Sequence, residues 1–471
     1  MNNKKKIIGI VIITILIILL TVSFYLILND KVLDNTTNDS VDAITIVEEK
    51  NDSTLSDDVN WNSYTTKKIE LENSINITTE GVYEINGTLS NGSIKVNTKG
   101  NVKLILNNVT INNNNGASIE IENADVVYIE LIGTNNISST LSNDIDAAIY
   151  SSDDLILLGD GTLNITSNID GIISKDDLMF ISGNYNINTL DDGIRGKDSL
   201  TIKNGNFNIE SSGNGIKTTN EEKGSIYIEN GEFVINSKLD AIQSISTITI
   251  KNGKFNIESG IDNDNNDESL KGIKATSNIL IENGEFNITS SDDAIHSNSA
   301  ITIEDGLFNI TTNDDGMHAN NTINIKNGTI NINNSYEGIE ANYVIIDNGT
   351  IKVYAKDDGI NISGGANKTG NERLDEFSDN GGYLKINGGY IYVNSSGDGL
   401  DSNGSIYMSD GEVYVDGPTN NGNGALDYNG VFELTGGTLI AVGSSGMAQS
   451  VSKSTVNTIQ IYLESNLTGT I

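Results

Sequence analysis

"DDAIHSNSAITIEDGLFNITTN" (residues 292–313) is followed at once by "DDGMHANNTINIKNGTININNS" (residues 314–335). Both phrases open on an acid pair and carry a His in the same slot, so Asp293 and Asp315 stand 22 residues apart, as do His296 and His318. The pattern extends in both directions. Aligned on the second acid, the series runs Asp170, Asp192, Asn214, Asp240, Lys271, Asp293, Asp315, Glu337, Asp358 and Asp398, each followed by Gly or Ala and then Ile, Met or Leu. Most steps are 21 or 22 residues, and two of the longer ones hold visible inserts, "IDNDNNDESL" and "GGANKTGNERLDEFSDNGG". A fixed period in this range signals a solenoid, in which each repeat buries its apolar face against its neighbours.

Within each repeat are short alternating runs such as "LTIKNGNFNIES", "ILIENGEFNITS" and "AITIEDGLFNIT". Alternation rich in Ile, Phe and Thr marks half-buried strands. Asn-Gly between the runs marks a turn. In an ordinary sheet it would read as a hairpin, but here identical slots recur in register. Phe207, Phe233, Phe255, Phe286 and Phe308 share one slot, continued by Ile330, Ile351, Ile391, Val413 and Leu439. Asn204, Asn230, Asn252, Asn283, Asn327 and Asn348 share the slot before the turn glycine, where amides form a ladder. The expected fold is all-β: a parallel β-helix of roughly 15 coils, about 4.8 Å apart.

The chain has 471 residues, a formal net charge of −36, 48 Gly, one Pro and no Cys. The acidity excludes a nucleic-acid partner, whose phosphates need Lys and Arg. Without Cys there is neither a disulfide nor a thiolate metal site. Lys4, Lys5 and Lys6 precede an apolar run at residues 7–28, long enough to span a bilayer with the lysines inside. We read it as one transmembrane helix, with a cleaved signal peptide as the alternative. Residues 1–6 are then a cytoplasmic tail, 29–60 a flexible acidic stalk, and 61–471 the β-helix, outside the cell and expected to be monomeric.

Two columns carry chemistry. The acid pairs Asp314-Asp315 and Asp357-Asp358 recur at one corner, with Glu337 in the same column. Carboxylates stacked at coil spacing repel unless a cation lies between them, and Ca²⁺ accepts 6–8 oxygens in loose geometry. Asp in a solvated turn is the simpler reading of any single pair. For the run Asp314, Asp315, Glu337, Glu340, Asp357, Asp358 and Asn361 the two readings are balanced. The slot three residues after the acid changes character along the chain. It runs Arg195, Lys217, Gln243, Lys274, His296, His318, Glu340, Asn361, Asp401 and Asp427, basic at one end and acidic at the other. Arg195, Lys217, Lys274, His296 and His318 are candidates to bind an anionic sugar. His296 and His318 lack a third imidazole for a zinc site and read as hydrogen-bonding residues. Tyr390, Tyr392 and Tyr414 alternate with inward residues and should face out as a modest sugar platform.

The segments "DDGINISGG", "GDGLDSNGSI", "DGPTNNGNGALDYNG" and "GGTLIAVGSSGMAQ", with "KGIKA" and "EGIEA" before them, resemble the carbohydrate-binding domain family of bacterial surface β-helix proteins, related to pectate lyases. So do "EGVYEINGTLSNGSIKVNT" and "VKLILNNVTINNNNGASIEIENADVVYIEL" near the start; the likeness covers about residues 60–450. The resemblance implies a right-handed, pectate-lyase-like β-helix that binds cellulose and acidic sugars with bound Ca²⁺. It places that Ca²⁺ on Asp357 and Asp358 of "DDGIN", Glu337 and Glu340 of "EGIE", Asp398 and Asp401 of "GDGLD", and Asp427 of "GALD". One departure is that the family continues past the "GMAQ" segment, so an incomplete C-terminus is expected.

The expectation is a membrane-anchored, non-catalytic binder of acidic or plant-type polysaccharide. One alternative is a Ca²⁺-dependent polysaccharide lyase, in which Arg195 with Lys217 would take the proton beside a uronate carboxylate. A structural spacer or adhesin is the other.

Overall fold

The computed structural model describes residue 55 and residues 59–140, 147–262, 268–364 and 378–463. The apolar run at 7–28, the tail before it, most of the stalk and parts of both inserts lie outside the described residues. Among the described residues no helix is long and apolar enough to cross a membrane, and the helical piece is a 3-10 turn at Trp61–Ser63.

The chain winds as a parallel β-solenoid of about 16 turns with about 22 residues per turn. A typical turn holds three strands, Ser199–Ile202, Asn206–Ser211 and Ile216–Thr218. Each pairs in parallel with the strand one turn on: Ser225–Ile228, Glu232–Ser237 and Ile242–Ser244 respectively. We call these three ladders A, B and C.

The repeat explains each ladder. Strands of ladder B read polar–Phe–polar–Ile–polar–Ser, and alternate residues are buried. Period 2 puts Phe and Ile on one face. Phe233, Phe255, Phe286 and Phe308 stack face to face at 4.6–4.7 Å with planes within 3° of parallel. Ile330, Ile351, Ile391, Val413 and Leu439 continue the line as register partners. The Asn-Gly turn between ladders A and B serves this stack. Gly253 has φ +141, and a Cβ there would lie 2.9 Å from the Phe255 ring. Only glycine accepts both that φ and that ring. The amides before it form the expected ladder: Asn252 donates to Asn230 at 3.2 Å and Asn348 to Asn327 at 3.3 Å.

One continuous core runs from Leu71 to Leu434. A second, smaller cluster of Val126, Tyr128, Ile156 and Met179 lies on ladder A, and Leu55, Val59 and Trp61 pack against it. Trp61 meets Tyr128 edge-on at 5.0 Å. Packed structure therefore reaches back to Leu55, and the one tryptophan has a packing role at the start of the solenoid.

Candidate functional site

Most strands of ladder C are three residues long and read Ile–x–small, with the ends buried and the middle half-exposed, while those of His318 and Glu340 run on into ladder A as Met317–Ile325 and Ile339–Ile346. The middle residues form one line. Arg195, Lys217, Gln243, Lys274, His296, His318, Glu340, Asn361, Asp401 and Asp427 are successive register partners. The acid pairs sit at the corner where ladder B turns into ladder C, so the second acid of each pair stands beside this line.

The second acid has a structural task. Its Oδ1 accepts a hydrogen bond from the backbone N–H of the equivalent residue one coil on: Asp192 to Asp170 at 3.0 Å, Asn214 to Asp192 at 2.8 Å, Lys271 to Asp240 at 2.8 Å, Asp315 to Asp293 at 3.1 Å and Asp398 to Asp358 at 2.6 Å. This satisfies an amide that a corner would otherwise strand. It also buries a carboxylate, which must be neutralised or protonated.

In the first half of the solenoid the chain supplies the counter-charge. Arg195 reaches Asp170 Oδ2 at 2.6 Å, Lys217 reaches Asp192 at 3.6 Å and Lys274 reaches Asp240 at 3.7 Å. Lys271 occupies an acid slot itself, and its Nζ lies 2.6 Å from Asp292 and 2.7 Å from Asp293. His296 Nδ1 lies 2.7 Å from Asp293. Burial pushes Asp293 up, but His296 and Lys271 outweigh it and hold the carboxyl below its ordinary value. His318 Nδ1 lies between Asp315 Oδ2 at 3.0 Å and Glu340 Oε2 at 3.1 Å. Burial opposes its charge, yet those two carboxylates raise His318 to about 10. Burial holds Asp315 above its ordinary value, and His318 draws Glu340 below its own despite burial.

Beyond Glu340 no described residue of the column supplies such a cation. Among the described residues, no Lys, Arg or His pairs with Glu337, Asp358, Asp398, Asp401 or Asp427. Burial, then the charge of Glu340, raises Glu337 to about 9. Burial raises Asp358 to about 7. Burial, then Asp358, Asp398 and Asp427, raises Asp401 to about 8. Asn361 is 9% exposed and its Oδ1 has no hydrogen-bond partner, while its Nδ2 donates to Glu337 at 2.9 Å. A Cβ at Gly397 would collide with Oδ1 of both Asp357 and Asp358, so both carboxylates lean over this glycine. Asp427 Oδ1 accepts from Gln449 Nε2 at the far end. The donors here are all oxygen, the chemistry of a hard cation. They are not drawn tight: among the described residues, no three of Glu337, Asp358, Asp398, Asp401 and Asp427 bring ligand atoms within 4.8 Å of one another, whereas Asp292, Asp293 and exposed Asp314 do.

The tyrosines occupy the neighbouring face. Tyr392 and Tyr414 are register partners on the outer side of ladder B, and Tyr390 is 37% exposed. Tyr390 and Tyr414 stand 5.5 Å apart, and Tyr354 stands 5.8 Å from Tyr392. Their inward neighbours Ile391, Val393 and Val413 are buried. Along the same face toward the N-terminus, Asn331 donates to Asn309 and Asn309 to Asn287, at 3.1 and 3.0 Å.

All ten acids and amides proposed for metal thus lie on the corner or its line, and the basic candidates lie on the same line further back. The tyrosines lie off it. The amide-capping role of the acids, the pairing of each base with an acid and the lone Asn361 oxygen were not visible in the sequence. Lys271 in an acid slot was the one available clue that this corner needs positive charge.

Fold and site together define an acidic parallel β-solenoid with a graded charge column and an aromatic outer face. The chain belongs to the family of carbohydrate-binding domain-containing proteins, whose model matches residues 71–316 and 313–464. It is similar to a carbohydrate-binding domain-containing protein of Acetivibrio thermocellus, at 33% identity over 23% of this chain and 42% of that one. The match thus spans less than half of that relative. Among solved structures it is similar to a polysaccharide lyase-like protein from C. thermocellum, studied as a gadolinium derivative. That likeness has 29% identity and a TM-score of 0.37, over 40% of this chain and 88% of the other.

Proposed function

We propose that this protein is a non-catalytic carbohydrate-binding module, held at the cell surface by its N-terminal apolar segment, that grips acidic polysaccharide with the help of Ca²⁺. The observation that carries the reading is the break in charge compensation at Glu340. On the coils before it, Arg195, Lys217, Lys274, Lys271, His296 and His318 lie against the acids of the corner, whereas among the described residues no Lys, Arg or His pairs with Glu337, Asp358, Asp398 or Asp401. Ca²⁺ would supply the missing charge. Glu337, Asp358, Asn361, Asp398, Asp401 and Asp427 would hold it, with Asp357 at the outer rim. Exposed carboxylates of a uronate-containing chain would complete the oxygen shell of such an ion. Tyr390, Tyr392 and Tyr414 offer flat faces for the sugar rings on the adjoining side. The bases that a lyase would need are committed elsewhere: Arg195 holds Asp170 and Lys217 lies beside Asp192. A right-handed winding, the hand favoured by crossovers between parallel strands, and a monomer complete the reading.

The test is calorimetric titration of the detergent-solubilised chain with oligogalacturonate, in Ca²⁺ and again in chelator. Saturating heat that disappears in chelator supports the proposal. Unsaturated sugar ends appearing in the reaction would make the protein a lyase. No heat in either buffer would refute acidic-sugar binding and leave a neutral glycan or a spacer.

A further inference from the structure

One cluster on the column mixes nitrogen with oxygen. His296 and His318 are the only two histidines of the chain. They are register partners on adjacent coils, with ring centroids 5.0 Å apart. Asp315, His318 and Glu340 bring one donor atom each within 4.8 Å of one another, and so do Asp293, His296 and His318. The cluster therefore ties three consecutive coils.

Two arguments separate it from a simple charge-neutralising pair. The first is donor type. Where the corner needs only a cation, the same slot holds Arg195, Lys217 or Lys274. Here two successive coils place imidazoles in it, and imidazole suits Zn²⁺, Cu²⁺ and Ni²⁺ where an all-oxygen set suits Ca²⁺. The second is geometry. His318 Nδ1 already lies at hydrogen-bond distance from two carboxylates on different coils. A divalent ion between these three atoms replaces one proton and adds positive charge beside buried Asp315 and half-buried Glu340. Three protein donors with an open fourth position are enough for zinc. Asp293 is less available, because Lys271 Nζ lies 2.7 Å from it and repels a second cation.

We propose that His318, Asp315 and Glu340, with His296 as the adjoining imidazole, form a site for one divalent transition-metal ion of the Zn²⁺ class, separate from the oxygen corner that follows. The site clamps three coils at the point where, among the described residues, the column passes from His318 to Glu340, Asn361, Asp401 and Asp427. It does not depend on sugar binding or on the Ca²⁺ reading.

The experiment titrates ZnCl₂ into the chelator-stripped, detergent-solubilised full chain with millimolar Ca²⁺ present, following heat and the metal retained after gel filtration. One Zn²⁺ per chain is expected. His296→Ala should weaken it at least tenfold. His318→Lys, which keeps a positive charge as Lys217 does in the same slot, should leave the melting profile near that of the parent chain but retain no Zn²⁺. Asp401→Asn should not change Zn²⁺ uptake. Absence of stoichiometric Zn²⁺ in the parent chain would overturn the proposal, and so would full retention by a folded His318→Lys. Displacement of Zn²⁺ by the Ca²⁺ present would equally overturn it, by showing an ordinary hard-cation site.

Discussion

Asp401→Asn is expected to change the sign of its effect with the buffer. Asp401 lies on ladder C with Asp427 as register partner one coil on and Asn361 one coil back. Its carboxyl is pushed from an ordinary 3.8 up to about 8, first by burial and then by Asp358, Asp398 and Asp427. A carboxyl raised in the fold favours the fold fully below its unfolded value and loses that advantage as pH rises through the folded value. At about 1.4 kcal/mol per pKa unit, keeping Asp401 in place at pH 8 costs up to about 5 kcal/mol without a cation. Asparagine keeps the shape and removes the charge. In chelator at pH 8 the variant should therefore be more stable than the parent chain, by about 2–5 kcal/mol. In millimolar Ca²⁺ it should be less stable, because the proposed Ca²⁺ site would lose a ligand and its mass-action stabilisation would shrink. Urea denaturation followed by tyrosine fluorescence reads both. The reasoning fails if the variant is destabilised equally in the two buffers, since Asp401 would then act through packing or hydrogen bonding alone.

The same shifts predict the pH profile. In chelator the parent chain should lose stability as pH rises from about 4 to about 9, through Asp154, Asp170, Asp315 and Asp358 at about 7, then Asp401 at about 8 and Glu337 at about 9. Ca²⁺ should flatten the part of that slope between about pH 7 and 9, which Asp401 and Glu337 supply, and an equally steep slope there in Ca²⁺ would exclude an ion at this corner. Lys271→Ala strips the cation from Asp292 and leaves Asp293 with His296 alone, so melting should drop by an amount equivalent to about 2–4 kcal/mol and partly recover with added Ca²⁺; a loss that Ca²⁺ does not touch would argue against exchange between ammonium and metal. Phe286→Ala, in the middle of the aromatic stack, should cost about 3–5 kcal/mol. Gly284→Ala should also destabilise, because its φ is +140 and its Cβ would lie 2.8 Å from the Phe286 ring; unchanged melting of either would refute the packing account. Tyr392→Ala with Tyr414→Ala should weaken oligosaccharide binding in calorimetry without altering Ca²⁺-dependent melting, and unchanged sugar affinity would remove the tyrosine face from the site.

The solenoid is legible in the order of residues alone. A 22-residue period with an inward Phe slot, an Asn-Gly turn two residues before it and an Ile, Met or Leu two residues after each acid slot leaves few other ways to bury so much β-branched surface, because each repeat must find its partner in the next. The line from Arg195 to Asp427 was also legible, since equal spacing in sequence becomes one column when the coils stack in parallel. The sequence could not show which acid meets which base. Asp170 meets Arg195 and Asp240 meets Lys274 from the following coil, whereas Asp293 meets His296 of its own coil. Those partners depend on side-chain reach and on the turn that each insert leaves behind. Nor could it show that one carboxylate oxygen caps a backbone amide while the other faces the column, or that Asn361 keeps a buried oxygen without a partner. Periodicity places residues on a line, but charge compensation is settled over a few ångströms between coils, and only the tertiary structure decides that distance.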